Sequence, residues 1–526
     1  MGFLDGVRFA LGGSPEEIAL GGATEADAAR LVDVQRAAGD AAPHGCAWLD
    51  ETTISDLELP SVARAIDRTV TPIGAQQLWR MLCAPAVDPA VLDAREAAIG
   101  ELTAAPQTHP ALRDALARGA DADAAYVPLL LWGPRPAIGS PWLFRGLALA
   151  LLGSIAGMVF VHALLLPAFA LLVYNVLLDD RTNTRLGGQV RALASLGQAL
   201  RAGQRVVDRG LGPADERAGI AADLPVLARF RRRIAASQLR DPFELLSLIQ
   251  AVFLVRIIAL AAAVDELERQ RAALRRVHER LGRIDALLSI ATLRRQRADA
   301  TVPILAAGPA QLDARGLVHP AIDGAVGNDL ALDGQGLVIT GSNMAGKSTF
   351  LRALGLGAVL AQSIHTVFGT WRGSVFRIAA AMRARDDTAS GTSTYAAEVA
   401  AIGGIIAEAD AARAAGVPLL AVLDEPFRGT NPTARVPIVV GVLEYLGDAG
   451  LCAAATHDLD VAAQLSPRFL RVFFRDPGDA GGGYRLHAGT APTTNAVALL
   501  RRAGYPEALV ASIEAATAAV SSRRTP

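Results

Sequence analysis

The sequence predicts a C-terminal α/β nucleotide-binding domain preceded by an all-α region that carries an apolar helical hairpin. Three observations predict it. GSNMAGKS at 341–348 follows the strand-like run GLVIT, and a second apolar run, LLAVLD, ends at Asp424-Glu425. Between Gly146 and Leu178 lie 33 residues without an Asp, Glu, Lys or Arg.

A chain of 526 residues exceeds one ordinary core and implies several structural units. Its net charge of −1 balances heavy loads of both signs, so no global polyanion-binding field is expected. Cys46, Cys83 and Cys452 lie far apart, without metal-ligand or disulfide spacing, which suits a reducing compartment. The start, MGFLDGVRFALGG, lacks the basic leader and apolar core of a signal peptide.

Residues 1–45, rich in Ala and Gly, read as a flexible lead-in. A helical core follows over 46–135, punctuated by Pro60, Pro72, Pro85 and Pro106. The apolar hairpin is placed at 140–180. As a single helix, its 33 charge-free residues would span about 50 Å, against a hydrocarbon core of about 30 Å. Arg135 and Arg145 precede it, and Arg181, Arg185 and Arg191 follow, so both ends are expected on the cytoplasmic side. A transmembrane hairpin turning near Val161–Ala163, with Pro167 loosening its second helix, meets both conditions. A buried soluble hairpin is the alternative.

A second apolar stretch, 245–264, carries Arg256 at its centre. Because a mid-bilayer Arg costs at least ~2.5 kcal/mol, a packed soluble helix is expected there. The rest of 181–300 reads as long, Arg-rich lever helices with opposite charges at helical spacing. RFRRRI at 229–234 reads mainly as a solvated face, although it could touch phosphates. From 301 to 526 the pattern becomes strand, glycine loop, helix and further strands, the pattern of a parallel sheet.

Gly341, Ser342, Asn343, Met344, Ala345, Gly346, Lys347 and Ser348 match GxxxxGK[ST] between a strand and a helix, with Thr349 beginning that helix. Loop amides and the helix N-terminus would surround the β-phosphate of ATP. Lys347, the sole lysine among 51 cationic side chains, would reach the β- and γ-oxygens as a compact point charge. A guanidinium is too wide for that ring of amides. Ser348 and Asp424 would hold Mg²⁺, and Glu425 would polarise the attacking water. His457 in AATHDLD ends the next strand, where a γ-phosphate sensor is expected.

RDDTASGTSTYAAEV (385–399) and DEPFRGTNPTAR (424–435), taken with GSNMAGKST and ATHD, resemble the MutS family of DNA mismatch-repair ATPases. LDETTISDLEL (49–59), DRTVTPIGAQQLWRMLCAP (67–85), VHPAIDGAVGNDLAL (318–332) and TNAVALLRRAGYPEALV (494–510) extend the resemblance. The last of these looks like the family's C-terminal helix-turn-helix. The resemblance implies an ABC-like P-loop ATPase that closes as a homodimer over two nucleotides. It places Ser390, Gly391, Thr392 and Ser393 on the γ-phosphate of the other subunit, and Gly429-Thr430-Asn431 near the dimer seam. It also places His487 near the adenine.

The departures are specific. No Phe-x-Glu wedge stands before residue 46, and Ala325 or Val326 replaces the aromatic expected before Gly327-Asn328. The expectation is a membrane-associated branch without the mismatch-reading domain: a cytoplasmic ATPase anchored at the inner membrane, binding DNA weakly and without mismatch preference. A membrane-coupled ATPase switch that does not act on DNA is the alternative. An ordinary ABC transporter subunit is disfavoured, because LSGGQ is absent between the nucleotide motifs.

Overall fold

A computed structural model describes residues 24–119, 121–136, 138–237, 245–341, 346–382, 394–475, 483–491, 501 and 504–513. The helices before the first strand are α1 Glu25–Ala37, α2 Glu51–Asp56, α3 Leu59–Ile66, α4 Pro72–Cys83, α5 Pro89–Ala104, α6 His109–Ala117, α7 Val127–Leu131, α8 Pro141–Gly157, α9 Leu165–Asp208, α10 Ala214–Asp223, α11 Ala228–Ser237, α12 Leu245–Val252 and α13 Val255–Gln296. Next come β1 Ala300–Thr301, β2 Ile304–Ala306, β3 Gln311–Leu317, β4 Asn328–Asp333, β5 Gly336–Thr340, α14 Lys347–Ser363, β6 Val367–Phe368, β7 Thr370–Ser374 and β8 Arg377–Ala381. The chain continues through α15 Thr394–Ala415, β9 Leu419–Asp424, α16 Pro432–Gly447, β10 Gly450–Ala455, α17 Leu459–Gln464, β11 Phe469–Phe474 and β12 Leu486–Ala488.

Two compact units emerge. The first comprises 1–41, 66–81 and 96–295, and the second 42–65, 82–95 and 296–526. The helical domain expected over 46–135 is therefore divided between them.

In the helical unit, α1 corrects the expectation of a flexible lead-in up to residue 45. Thr24 and Asp27 form a reciprocal capping box at its start, a local signal masked by the surrounding Ala-rich composition. Asp285 of α13 anchors the entry to α4: the Thr71 hydroxyl donates to its Oδ2 at 2.7 Å, and the Thr71 and Val70 amides donate at 2.9 and 3.1 Å. Burial pushes the Asp285 carboxyl up to about 7, opposed by the Thr71 hydroxyl and the Val70 amide that favour its charged form.

The charge-free segment forms a helical hairpin of α8 and the first turns of α9, joined over 158–164 around the expected turn. Pro167 sits in the first turn of α9, where a missing N–H costs nothing, so it does not loosen the helix. By length and composition alone, His162–Thr182 could cross a membrane. The apolar stretch at 245–264 is two helices rather than one. The chain breaks at Phe253–Leu254, where Leu254 adopts φ +52°. Arg256 is accommodated by an ion pair with Asp179 of α9 at 2.7 Å, and Asn175 donates to the Val252 carbonyl at 2.8 Å.

In the α/β unit, six strands run in the order β12-β11-β5-β10-β9-β8, all parallel except β12. Val338, Ala421, Leu423, Cys452 and Ala454 pack under α15 and α16. Strand alternation turns their neighbours, such as Val422 and Ala453, to the face covered by α14. Because both faces are covered, β9 reads as a continuous apolar run, which made it legible. A smaller sheet, β2-β7-β3-β4, stands beside it.

The LDETTISDLEL segment belongs to this unit for a definable reason. The edge strand β8 offers amides with no strand to accept them. Thr53 Oγ1 accepts from Ala380 N–H at 2.9 Å, and Asp56 Oδ2 accepts from Met382 N–H at 2.7 Å. Both side chains are buried. Arg352 of α14 donates to the Asp56 carbonyl at 3.1 Å, so α2 is tied both to the sheet edge and to the helix that follows the glycine loop.

Candidate nucleotide site

The parallel register brings the sequence-predicted residues to one end of the sheet. Ala455 of β10 pairs with Ile339 on one side and Asp424 on the other, so β5, β9 and β10 end side by side. Open parallel sheets place their binding crevices at this carboxyl edge.

Two glycines permit the turn out of β5. Gly341 has φ +131°, and a Cβ there would stand 2.9 Å from the Phe474 carbonyl oxygen; Gly346 has φ +100° and caps α14. Lys347 is 2% exposed, and its Nζ donates to the Gly341 carbonyl at 2.6 Å, so the ammonium points back toward the end of β5. Ser342, Asn343, Met344 and Ala345 lie outside the described residues, as do Ser390, Gly391, Thr392 and Ser393. Thr349 is exposed at the start of α14.

Ser348 and Asp424 meet across a cavity of about 240 Å³ that Glu425, Phe427, Arg428 and Glu398 also line. Burial raises the Asp424 carboxyl above the usual range. The hydrogen bond from Ser348 opposes this, Glu425 adds to it, and Lys347 and Arg352 pull it down. A hydroxyl and a carboxylate are hard oxygen donors. They match the small protein share of a Mg²⁺ shell whose remaining ligands are water and phosphate.

Glu425 follows β9 in the left-handed region at φ +48°, and Phe427 repeats this at φ +58°. Such conformations cost energy for residues with a Cβ and mark sites held by their surroundings. Here the Glu425 amide is fixed by the Ala455 carbonyl at 2.9 Å, and the bend presents its carboxylate to the cavity. His457 Nδ1 stands 3.1 Å from Glu425 Oε2 without the alignment of a hydrogen bond, and Arg428 approaches the same oxygen at 3.9 Å.

His487 is placed less directly. It lies on β12 opposite Phe473, with ring centroids 5.4 Å apart, and Phe473 in turn pairs with Thr340 at the end of β5. Gly429 lies in an exposed turn whose amide donates to Glu398 Oε2 at 3.2 Å. Sequence reasoning missed Glu398, Arg428 and Asn328. Asn328 is buried; its side chain donates to the Tyr484 carbonyl at 3.0 Å and accepts the Leu486 amide at 2.8 Å, fixing the approach to β12. GND was visible as a motif, but its role depends on Leu486 of β12, 158 residues away.

The helical unit contains a second charged feature. Arg201 of α9 and Arg231 and Arg232 of α11 line a groove of about 400 Å³. Arg231 donates to Gln204 at 3.1 Å, while Arg201 and Arg232 have no carboxylate partner among the described residues.

Residues 337–519 match the family model MutS domain V, spanning the strand before the glycine loop, the Asp424-Glu425 pair, His457 and His487. That segment is a MutS domain V. The chain is 29% identical over 510 residues to the DNA mismatch repair protein MutS of Caulobacter vibrioides, which covers 82% of this chain and 55% of that protein. With the MutS of Paracoccus denitrificans it shares 29% identity over 559 residues, 89% of this chain and 61% of the relative. DNA mismatch repair protein MutS 2 of Halobacterium salinarum is 34% identical over 246 residues, 44% of this chain and 27% of that protein. The chain thus spans between about a quarter and three fifths of the length of these MutS relatives.

Proposed function

We propose that this chain is a MutS-family, Mg²⁺-dependent ATP hydrolase that works as a homodimeric clamp, binds DNA weakly through its phosphates, and is anchored at the inner membrane with the nucleotide sites in the cytoplasm. The observation that carries the reading is the convergence of Lys347, Ser348, Asp424, Glu425 and His457 at one sheet edge.

In this reading Gly341 and Gly346 let loop amides approach the phosphates, and Lys347 swings from the Gly341 carbonyl onto the β- and γ-oxygens. Ser348 and Asp424 would hold Mg²⁺, which when bound would neutralise charge on the phosphates. Glu425 accepts a proton from the attacking water, and His457 orients that carboxylate and contacts the γ-phosphate. His487 lies beside the base. Ser390–Ser393 complete the other subunit's site, so hydrolysis and dimer opening are coupled.

The unpaired Arg201 and Arg232 support phosphate contacts that position a duplex without reading its bases. The exposed hairpin supports the membrane placement, and it also favours the second reading: a membrane-coupled ATPase switch that does not act on DNA. Phosphate release by the full chain, measured with and without Mg²⁺, tests the first claim. Metal-independent or undetectable turnover would refute it.

A further inference from the structure

The hairpin exposes apolar side chains around both helices and at its tip. On α8 these include Trp142, Leu149 and Ile155, and on α9 Leu166, Phe169 and Val173. The exposed positions on α9 fall around more than half of the helix circumference, a wider surface than a groove for one partner helix covers. Hydrocarbon covers such a surface from every side.

The rim has the chemistry of a membrane–water boundary. Arg145 stacks over Trp142 at 4.8 Å near the start of α8. On α9, Arg181 and Arg185 are exposed and, among the described residues, have no carboxylate partner. They follow the last apolar residue within three and seven positions, roughly 5–10 Å along the helix, which is the reach of a headgroup layer.

The depth is limited. From Gly146 to the end of α8 is about 18 Å, short of a hydrocarbon core of about 30 Å; α9 is long enough to cross, but its charge-free part, from Leu165 to Leu178, is about 21 Å and is followed at once by Asp179, Asp180 and Arg181. The tip is not built for water either. Phe160 is 86% exposed and Val159 76%, with Val161 and Leu165 beside them. A hairpin that crossed fully would present this apolar turn to solvent on the far side.

We infer that α8 and the first turns of α9 form a one-sided wedge that enters an anionic lipid bilayer from one surface and stops with Phe160 in the hydrocarbon, without emerging. The inference rests on the membrane reading above and fixes its topology: both helices leave from the same surface.

The test uses the full chain with Cys46→Ser, which removes the one cysteine that is not fully buried, and a fluorescent NBD probe on Phe160→Cys or, separately, on Leu177→Cys. Vesicles of phosphatidylcholine and phosphatidylglycerol carry nitroxides at the headgroup, at an upper acyl position or near the acyl end. The wedge predicts that the Phe160→Cys probe is quenched at least twofold more by the deepest nitroxide than by the headgroup one. The Leu177→Cys probe should show the reverse order, with external dithionite reaching it. Quenching of the Phe160→Cys probe chiefly by headgroup nitroxide, with protection from external dithionite, would show full crossing and overturn the wedge while keeping membrane association. If the protein fails to float with vesicles and neither probe is quenched, the membrane reading itself falls. Self-association through the hairpin without lipid binding would overturn both.

Discussion

His457 Nδ1 stands 3.1 Å from Glu425 Oε2, across the ends of adjacent strands β10 and β9. The contact joins two motifs 32 positions apart, and Glu425 lines the same cavity as Ser348 and Asp424, where a carboxylate could accept the proton of an attacking water. Glu425→Gln keeps the shape and loses the proton acceptor. Turnover should fall roughly 10²–10⁴-fold, the range typical of a lost general base. With ATP the variant should accumulate as a dimer by light scattering. A monomer at saturating ATP would count against the contribution of Ser390–Ser393 in trans.

Lys347→Arg preserves charge and should still abolish turnover. The native ammonium is buried with its nitrogen 2.6 Å from the Gly341 carbonyl, and a planar guanidinium with its rigid fork of donors does not reproduce that compact point contact. Steady-state phosphate release is the measurement. Activity within about twofold of wild type would refute the shape argument for the single lysine.

Asp56→Ala should destabilise the α/β unit by about 1–3 kcal/mol, because the buried Met382 amide loses its acceptor. Thr53→Val removes the equivalent acceptor for Ala380 and should act in the same direction. Chemical denaturation monitored by fluorescence reports the change. Since Ala381 and Met382 line the nucleotide cavity, a fall in ATP affinity should accompany it.

Acid should weaken the helical unit through His278. Burial, reinforced by Arg80, pushes this imidazole down to about 3 from 6.5, so it stays neutral in the folded chain. The unfolded chain binds the proton first, and stability is lost as pH falls from about 6.5 toward about 3. The slope for one such group is ~1.4 kcal/mol per pH unit within that window. His278→Leu should flatten the pH dependence of thermal unfolding between pH 6 and 4. An unchanged slope would show that His278 is not the group responsible.

What was legible in the sequence follows from how local each signal is. The glycine loop, the Asp424-Glu425 pair and the hairpin announce themselves within a few residues of chain, through backbone freedom, a buried strand's composition and the absence of charge. The capping box of α1 was equally local but hidden in Ala-rich composition. Asp56, Asn328 and Glu398 were not legible, because each acts on a backbone group from a distant segment. The break at Leu254 was invisible too: the apolar run continues through it, and the Asp179 that receives Arg256 lies 77 positions earlier. Periodicity identifies helices and strands, but the partners that end or fasten them are set by tertiary contacts.

DNA binding should be weak, sensitive to salt and indifferent to mismatch. Reading a mismatch requires a side chain that unstacks a weak base step and senses its deformability. The groove of Arg201, Arg231 and Arg232 offers guanidiniums alone, flanked by Gly197, Ala228 and Ala235, with no aromatic wedge among its lining residues. Guanidiniums neutralise phosphates and release counterions, so affinity should fall steeply as salt rises. The net charge of −1 confines that attraction to the groove. Fluorescence anisotropy with paired matched and mismatched duplexes at two salt concentrations measures it, with Arg201→Gln/Arg232→Gln expected to reduce both affinity and salt slope. A mismatch preference above about tenfold, equivalent to ~1.4 kcal/mol, would show that another segment of the chain reads the duplex. Binding that is absent at low salt would leave the DNA-free membrane switch as the reading that the nucleotide site and the hairpin jointly support.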